Sequence, residues 1–574
     1  MTDRGLLNLD WGHAVLAALA NQGVQHVVLS PGSRSTPLAL AANRHEGLTL
    51  HVVLDERVAG FTALGLARAT GRPVALVCTS GTAAANYHPA LAEAATWGVP
   101  LVALTADRPP RLRGLGAAQT IDQVRLFGPT TAFAELPVPE PAALEAVGAR
   151  VALALAEALT GRRGPVHLNV PFDEPLAPSR DALAAWRPQA RPAPRVWAGR
   201  LAPDAEALAA LRTRLAAAQR PLVVAGPGAG DAGAARPLLD WAAAAGVPVI
   251  ADVGSGLRGR ASEGGAVLTH ADLFVRPPVP EALTPDLLVL VGRQSTSKAV
   301  SSWCASLRVP AVALWPDAAG RDPEALADTI VVGDVGVAFA SLGPAASAPR
   351  APSWLGAWQA REAAAALAIA EGPEPVPPEA AATRAAITAL PEGGGLVLSN
   401  SLPIRHADAY AGLGPAGGRV VVLRGANGID GVTAVAQGAA RAWGVPTLLV
   451  TGDLAFLHDL GALVAARDLA TPLVVLVLDN DGGAIFHHLP IAEAAPDFET
   501  LFGTPQARDL PAIARALGAT VHTPSTLEEV HAATRDGLRS PGLTVLVFPC
   551  DRRETVALHR AFIAGLAARS AAHA

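Results

Sequence analysis

The chain has 574 residues, 51% of them hydrophobic and 17% charged, with a net charge of −5, which is room for three or four globular domains. That charge balance leaves no electrostatic footprint for nucleic acid or an anionic membrane, and no apolar run approaches the ~18 residues of a span, so neither nucleic-acid binding nor membrane insertion is expected. Cys78, Cys304 and Cys550, the three cysteines, are too far apart for a disulfide framework or a CxxC metal site. The opening MTDRGLLNLD lacks a basic stretch followed by an apolar core, and a cytoplasmic protein is the expectation.

Short apolar runs alternate with helical patterns, which predicts parallel α/β sheets. In a first block, 1–185, Val27–Leu29 leads into SPGSRSTPLALAA, where Thr36-Pro37 reads as a cap followed by a helix start and Arg34 faces that start as a candidate anion clamp or a solvated loop arginine. Leu50–Leu54 is followed by Asp55-Glu56-Arg57 and a helix closed by Gly71; Glu56 is a carboxyl placed to share a proton with a ligand nitrogen, or a first-turn acid favourable to the helix dipole. After the strand Pro73–Cys78, Ser80-Gly81-Thr82 offers backbone N–H groups to an anion or a polar ring edge. The loop after Leu101–Thr105 gathers Arg108, Arg111, Arg113 and Gln119, favouring a ligand with carboxylates or phosphates.

The Pro/Ala/Arg-rich stretch 175–203 reads as a linker. In a second block, 200–345, Gly226–Gly233 offers a loose dinucleotide-type turn, with Asp252 about where a ribose-binding acid falls. Lys298 is the one lysine in the chain and sits near a helix start; it marks either a place where a compact ammonium fits and an arginine fork does not, or a chance survivor on the surface. A second linker, 345–354, precedes a third block, 355–574. There Asn400, Ser401 and Arg405 follow one strand, and Arg424, Gly428 and Ile429 another.

The third block culminates in GDLAFLHDLGALVAARDLATPLVVLVLDNDGGAIF, a βαβ unit with an expected helix over 454–469. Its right-handed crossover brings Asp453 and Asn480, each just past a strand, to one sheet edge beside Gly482-Gly483. A carboxylate and an amide oxygen converging there suit a hard cation that also takes diphosphate oxygens; a helix cap and an ordinary Asn-Asp-Gly-Gly turn are the plainer alternatives.

This Gly-Asp…Asn stretch resembles the diphosphate–metal motif of the thiamine-diphosphate enzymes, with Gly-Asp-Leu where many members carry Gly-Asp-Gly. Together, SPGSRSTPLALA, DERVAGFTALGLA, CTSGTAAAN, LTADRPP, SNSLPIR, RGANGIDG, GDLAFLHDL and NDGGAIF are similar to the branch of that family that joins 2-oxoglutarate to isochorismate in menaquinone biosynthesis. The likeness spans the first and third blocks; the middle block matches chiefly around Lys298.

The resemblance implies three doubly wound parallel-sheet domains: pyrimidine-binding (1–185), central (200–345) and diphosphate/metal-binding (355–574). It implies a homodimer or dimer of dimers with a shared active site. Glu56 is then the partner of the aminopyrimidine and Ile429 the prop that bends the cofactor. Ser80, Gly81, Thr82, Asn400, Ser401, Gly428, Gly452 and Leu454 are further cofactor contacts. Asp453, Asn480 and the Gly482 carbonyl hold Mg²⁺ or Mn²⁺. Arg34, Arg108, Arg405, Arg424 and Lys298 meet two dianionic substrates, Gln119 orients them, and Ile485 and Phe486 exclude water. His487 and His488 follow that apolar wall where the family pattern has less ionisable side chains; as surface histidines they are expected to face away. Another thiamine-diphosphate carboligase or decarboxylase, and a nucleotide-binding regulatory module built on Gly226–Gly233, are the alternative functions.

Overall fold

The computed structural model describes residues 3–161, 163–189, 191, 193–262, 264–276, 279–343 and 353–572. All but the last two residues of the second expected linker, 345–354, lie outside them. Among the described residues, three parallel six-stranded sheets carry the fold. The first is β1 (His26–Leu29), β2 (Thr49–Val52), β3 (Val74–Cys78), β4 (Leu101–Asp107), β5 (Ala132–Glu135) and β6 (Val166–Pro171). The second is β7 (Pro221–Ala225), β8 (Val249–Ala251), β9 (Val267–Leu268), β10 (Leu287–Val291), β11 (Ala311–Trp315) and β12 (Thr329–Val332). The third is β13 (Gly395–Leu398), β14 (Arg419–Val422), β15 (Thr447–Gly452), β16 (Leu473–Asp479), β17 (Thr520–His522) and β18 (Leu543–Pro549).

Interior strands such as β3, β7 and β10 are Val/Leu/Ala-rich runs because helices cover both faces of a parallel sheet, so neither side faces water. The first and third sheets share one topology, β2-β1-β3-β4-β6-β5 and β14-β13-β15-β16-β18-β17. The second, β12-β11-β10-β7-β8-β9, has the order of dinucleotide-binding sheets. Its switch point, between the ends of β7 and β10, is filled by the chain itself. Gly226 N–H donates to Val291 O at 2.8 Å and Arg293 N–H to Pro227 O at 3.0 Å, and a Cβ on Gly226 would stand 1.7 Å from the Arg293 carbonyl oxygen. Asp252 is buried and accepts from the Gly254 and Thr296 N–H groups at 2.7 and 2.6 Å, so it is not held out for a ribose. The nucleotide-binding alternative therefore loses both its glycine turn and its acid.

The chain divides into two compact units. One comprises 1–199 with 423–444 and 458–468, built on the first sheet; the other comprises 200–422, 445–457 and 469–574, built on the second and third. Within the first unit, the Glu56–Thr70 and Val432–Trp443 helices cross at backbone contact. Gly65 and Gly438 permit it: a Cβ would lie 2.2 Å from Val435 O at the former and 2.1 Å from Thr62 O at the latter. The 175–199 stretch is fastened to this unit and contains the Arg180–Ala185 helix. Trp186 Nε1 donates to Asp10 at 2.8 Å, and Gln22 exchanges hydrogen bonds with Pro194 O (2.6 Å) and Val196 N–H (2.8 Å). Its composition is a linker's, but Trp186, Pro194 and Val196 tie it to the sheet domain.

Two local expectations change. Ser35, one residue before Thr36, occupies the cap position of the Thr36–Asn43 helix. The helix expected over 454–469 is broken into Asp453–His458 and Leu460–Ala465, because the Asp459 carboxylate turns away to accept the Ala434 N–H at 3.0 Å. No helix among the described residues is long and apolar enough to cross a membrane.

Candidate active site

In the first unit the candidate side chains stand past the carboxyl ends of the strands. Asp55 caps the Glu56–Thr70 helix, accepting from Arg57 and Val58 N–H at 2.8 and 3.3 Å, and this fixes Glu56, half-buried, as its first residue. Arg34 is buried; it donates to Phe172 O at 3.1 Å and to Glu174 at 2.9 Å. Arg108 donates to the hydroxyl of fully buried Ser80. Burial, and secondly the Arg34 charge, pull the Arg108 guanidinium below its ordinary value, against the opposing pull of Asp107 and Glu174. Arg111 and Arg113 do not join them: Arg111 pairs with Asp173 at 2.7 Å, and Arg113 with Asp107 at 2.9 Å and with Glu135.

Ser80-Gly81-Thr82 departs from expectation as well. The Gly81 N–H is occupied, donating at 2.9 Å to Oε1 of Gln123, a fully buried residue that sequence reasoning passed over. Gln119 holds a positive φ of 55° and folds back, its Nε2 donating to Ser80 O at 3.0 Å and its carbonyl accepting from Ser80 Oγ at 3.1 Å. Exposed Thr82 opens the Thr82–Ala85 turn of helix. The loop of Arg424, Gly428 and Ile429 is held by buried Glu93, which accepts the Gly425 N–H at 2.8 Å and the Ala426 N–H at 2.5 Å. Gly431 closes that loop at φ 69°, where a Cβ would lie 1.9 Å from the Phe61 ring. All three named loop residues are half-buried.

In the second unit, β15 and β16 pair in parallel with Gly452 opposite Leu478, which sets Asp453 and Asn480 side by side past the two strand ends. Asp453 is buried and accepts the Gly482 N–H at 2.6 Å. Burial, opposed by the Leu454 N–H and reinforced by Asp479, pushes its carboxyl up to about 7. Asn480 Oδ1 is buried without a hydrogen-bond partner, while its Nδ2 donates to Glu379 at 3.0 Å. Gly482, at φ 148°, is pressed to 2.2 Å (Cβ position) from Gly503 O, and its carbonyl accepts one bond, from Ala484 N–H at 3.0 Å, leaving a lone pair. Among the described residues no three His, Cys, Asp or Glu side chains gather as metal ligands. What converges here is one carboxylate, one orphaned amide oxygen and one carbonyl, an oxygen-only set suited to a hard cation.

Asn400 is buried; Ser401 holds φ 73°, ψ −132°, a backbone state that strains a residue with a Cβ, and opens the Leu402–Tyr410 helix, where Arg405 donates to its carbonyl at 2.5 Å. Lys298 is exposed and begins the Lys298–Leu307 helix, a position where a cation opposes the helix dipole. Ile485 is half-buried, and Phe486 is 36% exposed and set edge-on to Phe502 at 5.8 Å. The two histidines are not surface residues. His487 packs edge-on against Phe498 at 4.7 Å and His488 against His559 at 5.5 Å. Burial lowers both, His488 to about 4, so His488 is neutral at pH 7 and no proton donor to a carbanion.

Residues 9–126 match the thiamine pyrophosphate enzyme N-terminal TPP binding domain and residues 421–548 the C-terminal TPP binding domain. The chain is 42% identical to the 2-succinyl-5-enolpyruvyl-6-hydroxy-3-cyclohexene-1-carboxylate synthase of Myxococcus xanthus, over 99% of both chains. It is 40% identical to that of Geobacillus kaustophilus, over 95% of this chain and 96% of the relative. In fold it is similar to a thiamin diphosphate-dependent enzyme from Mycobacterium smegmatis, with a TM-score of 0.70 at 22% identity over 94% of this chain and 99% of that one. Two thiamine pyrophosphate domains and full-length likeness to these synthases place the chain in the 2-succinyl-5-enolpyruvyl-6-hydroxy-3-cyclohexene-1-carboxylate synthase family of thiamine-diphosphate enzymes.

Proposed function

We propose that the protein decarboxylates 2-oxoglutarate and adds the resulting carbanion to the ring alkene of isochorismate, in menaquinone biosynthesis. The observation that carries this is the full-length likeness to synthases whose name describes the product. A succinyl group is what a five-carbon 2-oxodiacid leaves after losing CO₂, and the enolpyruvyl-hydroxycyclohexene carboxylate is the ring that accepts it. Bound thiamine diphosphate supplies the electron sink for the carbon that loses CO₂.

The chain's own residues divide the remaining work. Glu56 hydrogen-bonds the aminopyrimidine ring and keeps a proton moving at its nitrogen. Ile429 and Gly428 shape the cofactor; Asn400, Ser401, Gly452 and Leu454 seat its diphosphate. Asp453, Asn480 Oδ1 and the Gly482 carbonyl hold Mg²⁺ or Mn²⁺. The orphaned Asn480 oxygen and the raised Asp453 carboxyl both support a cation there. Arg34, Arg108, Arg405, Arg424 and Lys298 bind the carboxylates, each charge-assisted contact contributing about 1.5–3 kcal/mol. Gln119 and Ser401 orient the substrates, and Ile485 and Phe486 keep water from the carbanion.

The proposed domains are pyrimidine-binding (1–185), central (200–345) and diphosphate-binding (355–574), in a cytoplasmic homodimer or dimer of dimers. Incubation with 2-oxoglutarate, isochorismate, Mg²⁺ and thiamine diphosphate is expected to consume isochorismate with stoichiometric CO₂ release. Turnover of pyruvate with isochorismate untouched overturns the reading in favour of another carboligase or decarboxylase.

A further inference from the structure

We propose that Glu379 is a positioning residue that turns the Asn480 amide so that its oxygen, not its nitrogen, faces the cation; this rests on the reading of Asp453 and Asn480 as cation ligands. An asparagine side chain is nearly symmetric in shape, and rotation by half a turn exchanges an acceptor for a donor. At a metal site that exchange replaces a ligand by two N–H groups. Something must set the choice before the ion arrives.

Glu379 is fully buried in the first turn of the Pro378–Thr388 helix, 101 residues from Asn480 in sequence. Its Oε1 accepts from Asn480 Nδ2 at 3.0 Å and from Thr555 Oγ1 at 3.3 Å, and its Oε2 lies 3.1 Å from His406 Nε2. A carboxylate only accepts, so the atom of Asn480 that meets it is the NH₂. The planar amide then leaves Oδ1 on the opposite side, where it is buried and unpartnered. The main chain of the same residue is fixed independently: Arg552 Nη1 donates to Asn480 O at 3.0 Å and Asp481 O at 2.9 Å. Through His406, Glu379 also joins the cation ligand to the Leu402–Tyr410 helix, which Ser401 opens and which carries Arg405. Outer partners of metal ligands typically alter affinity by about 10–100-fold.

The test is Mn²⁺ binding to the full chain with thiamine diphosphate, read by the electron paramagnetic resonance of free Mn²⁺, alongside the melting temperature without metal. Glu379→Gln is expected to weaken Mn²⁺ at least about tenfold, because the new amide can offer either face. The exchanged pair, Glu379→Gln with Asn480→Asp, restores one donor against one acceptor in reverse order and is expected to recover affinity to within about threefold of wild type. A merely structural Glu379 would move the melting temperature and leave Mn²⁺ affinity alone. Wild-type affinity in Glu379→Gln overturns the proposal, as does an exchanged pair that folds but binds no better than the single variant. If the single variant does not fold, the exchanged pair alone decides. Wild-type affinity in Asn480→Ala instead overturns the cation assignment itself.

Discussion

Glu93 reaches across the first unit to Gly425, accepting its N–H at 2.8 Å on one carboxylate oxygen while the other takes the Ala426 N–H. Two successive N–H groups on one buried carboxylate fix the start of the loop that carries Gly428 and Ile429. Glu93→Ala removes both acceptors and costs the two hydrogen bonds, about 0.5–1.5 kcal/mol for each, since exposed Ala426 and half-buried Gly425 are within reach of water. The expected outcome is a melting temperature lowered by several degrees and thiamine-diphosphate affinity reduced about tenfold, by cofactor titration of intrinsic fluorescence.

Gly65→Ala is expected to be among the most damaging single changes in the chain. The added methyl would stand 2.2 Å from the Val435 carbonyl oxygen, and that atom is backbone, which cannot rotate aside. Separation of the two crossing helices costs at least about 3 kcal/mol. Gly164→Ala, whose Cβ meets nothing nearer than 4.0 Å, serves as control. Urea midpoints measured for both variants check the difference.

Asp459 gives a pH dependence of definite sign. Burial raises its carboxyl from an ordinary 3.8 to about 7. A folded value above the unfolded one means that the stabilisation is complete below about pH 4 and is lost as pH rises to about 7, at up to ~1.4 kcal/mol per pH unit. Asp459→Asn removes that slope and keeps an oxygen for the Ala434 N–H. Denaturation curves at pH 5 and pH 7.5 should therefore show the variant gaining on wild type at the higher pH.

Glu56→Gln keeps the helix start, since Asp55 is the cap. Exchange of the cofactor's C2 proton, followed by NMR, is expected to slow about a hundredfold or more with the melting temperature unchanged. Exchange at the wild-type rate removes Glu56 from its assigned part.

Lys298→Arg is expected to raise KM for the dianionic substrates about tenfold. Because Lys298 is exposed, stability should not move, and calorimetry checks this separately. Unaltered kinetics would show that the solitary lysine is incidental.

Much of this molecule was legible in its residues for a physical reason. Strands buried on both faces are largely apolar runs, so their ends, and the polar residues just past them, stand out: Asn400, Asp453 and Asn480 lie there, whereas Glu56 follows β2, an exposed edge strand, and is marked by its helix start instead. What escaped were groups whose meaning depends on distant partners. Glu379 reads as an ordinary first-turn acid, Glu93 as an acid on an Ala-rich helix and Gln123 as a loop amide, yet all three are buried acceptors. Strand β6 escaped because His167 and Asn169 interrupt its apolar run; His167 Nε2 and Asn169 Oδ1 meet Thr105 Oγ1 at 2.7 and 3.0 Å. The arginine-rich loop misled in the other direction, since Arg111 and Arg113 are consumed by acids of their own sheet domain.

The central sheet has the strand order of a nucleotide receptacle, with its mouth stitched shut. Backbone bonds run across the gap at Gly226 and Pro227, and two more pass from Gly228 and Gly230 to Gly254 and Ser255 at 3.0 and 2.8 Å. A crevice that would otherwise let the two halves of the sheet flex about a guest becomes a seam. The carboxyl edge of the middle sheet is thereby closed to a guest, and Lys298 stands at a helix start just beyond the β10 side of that seam.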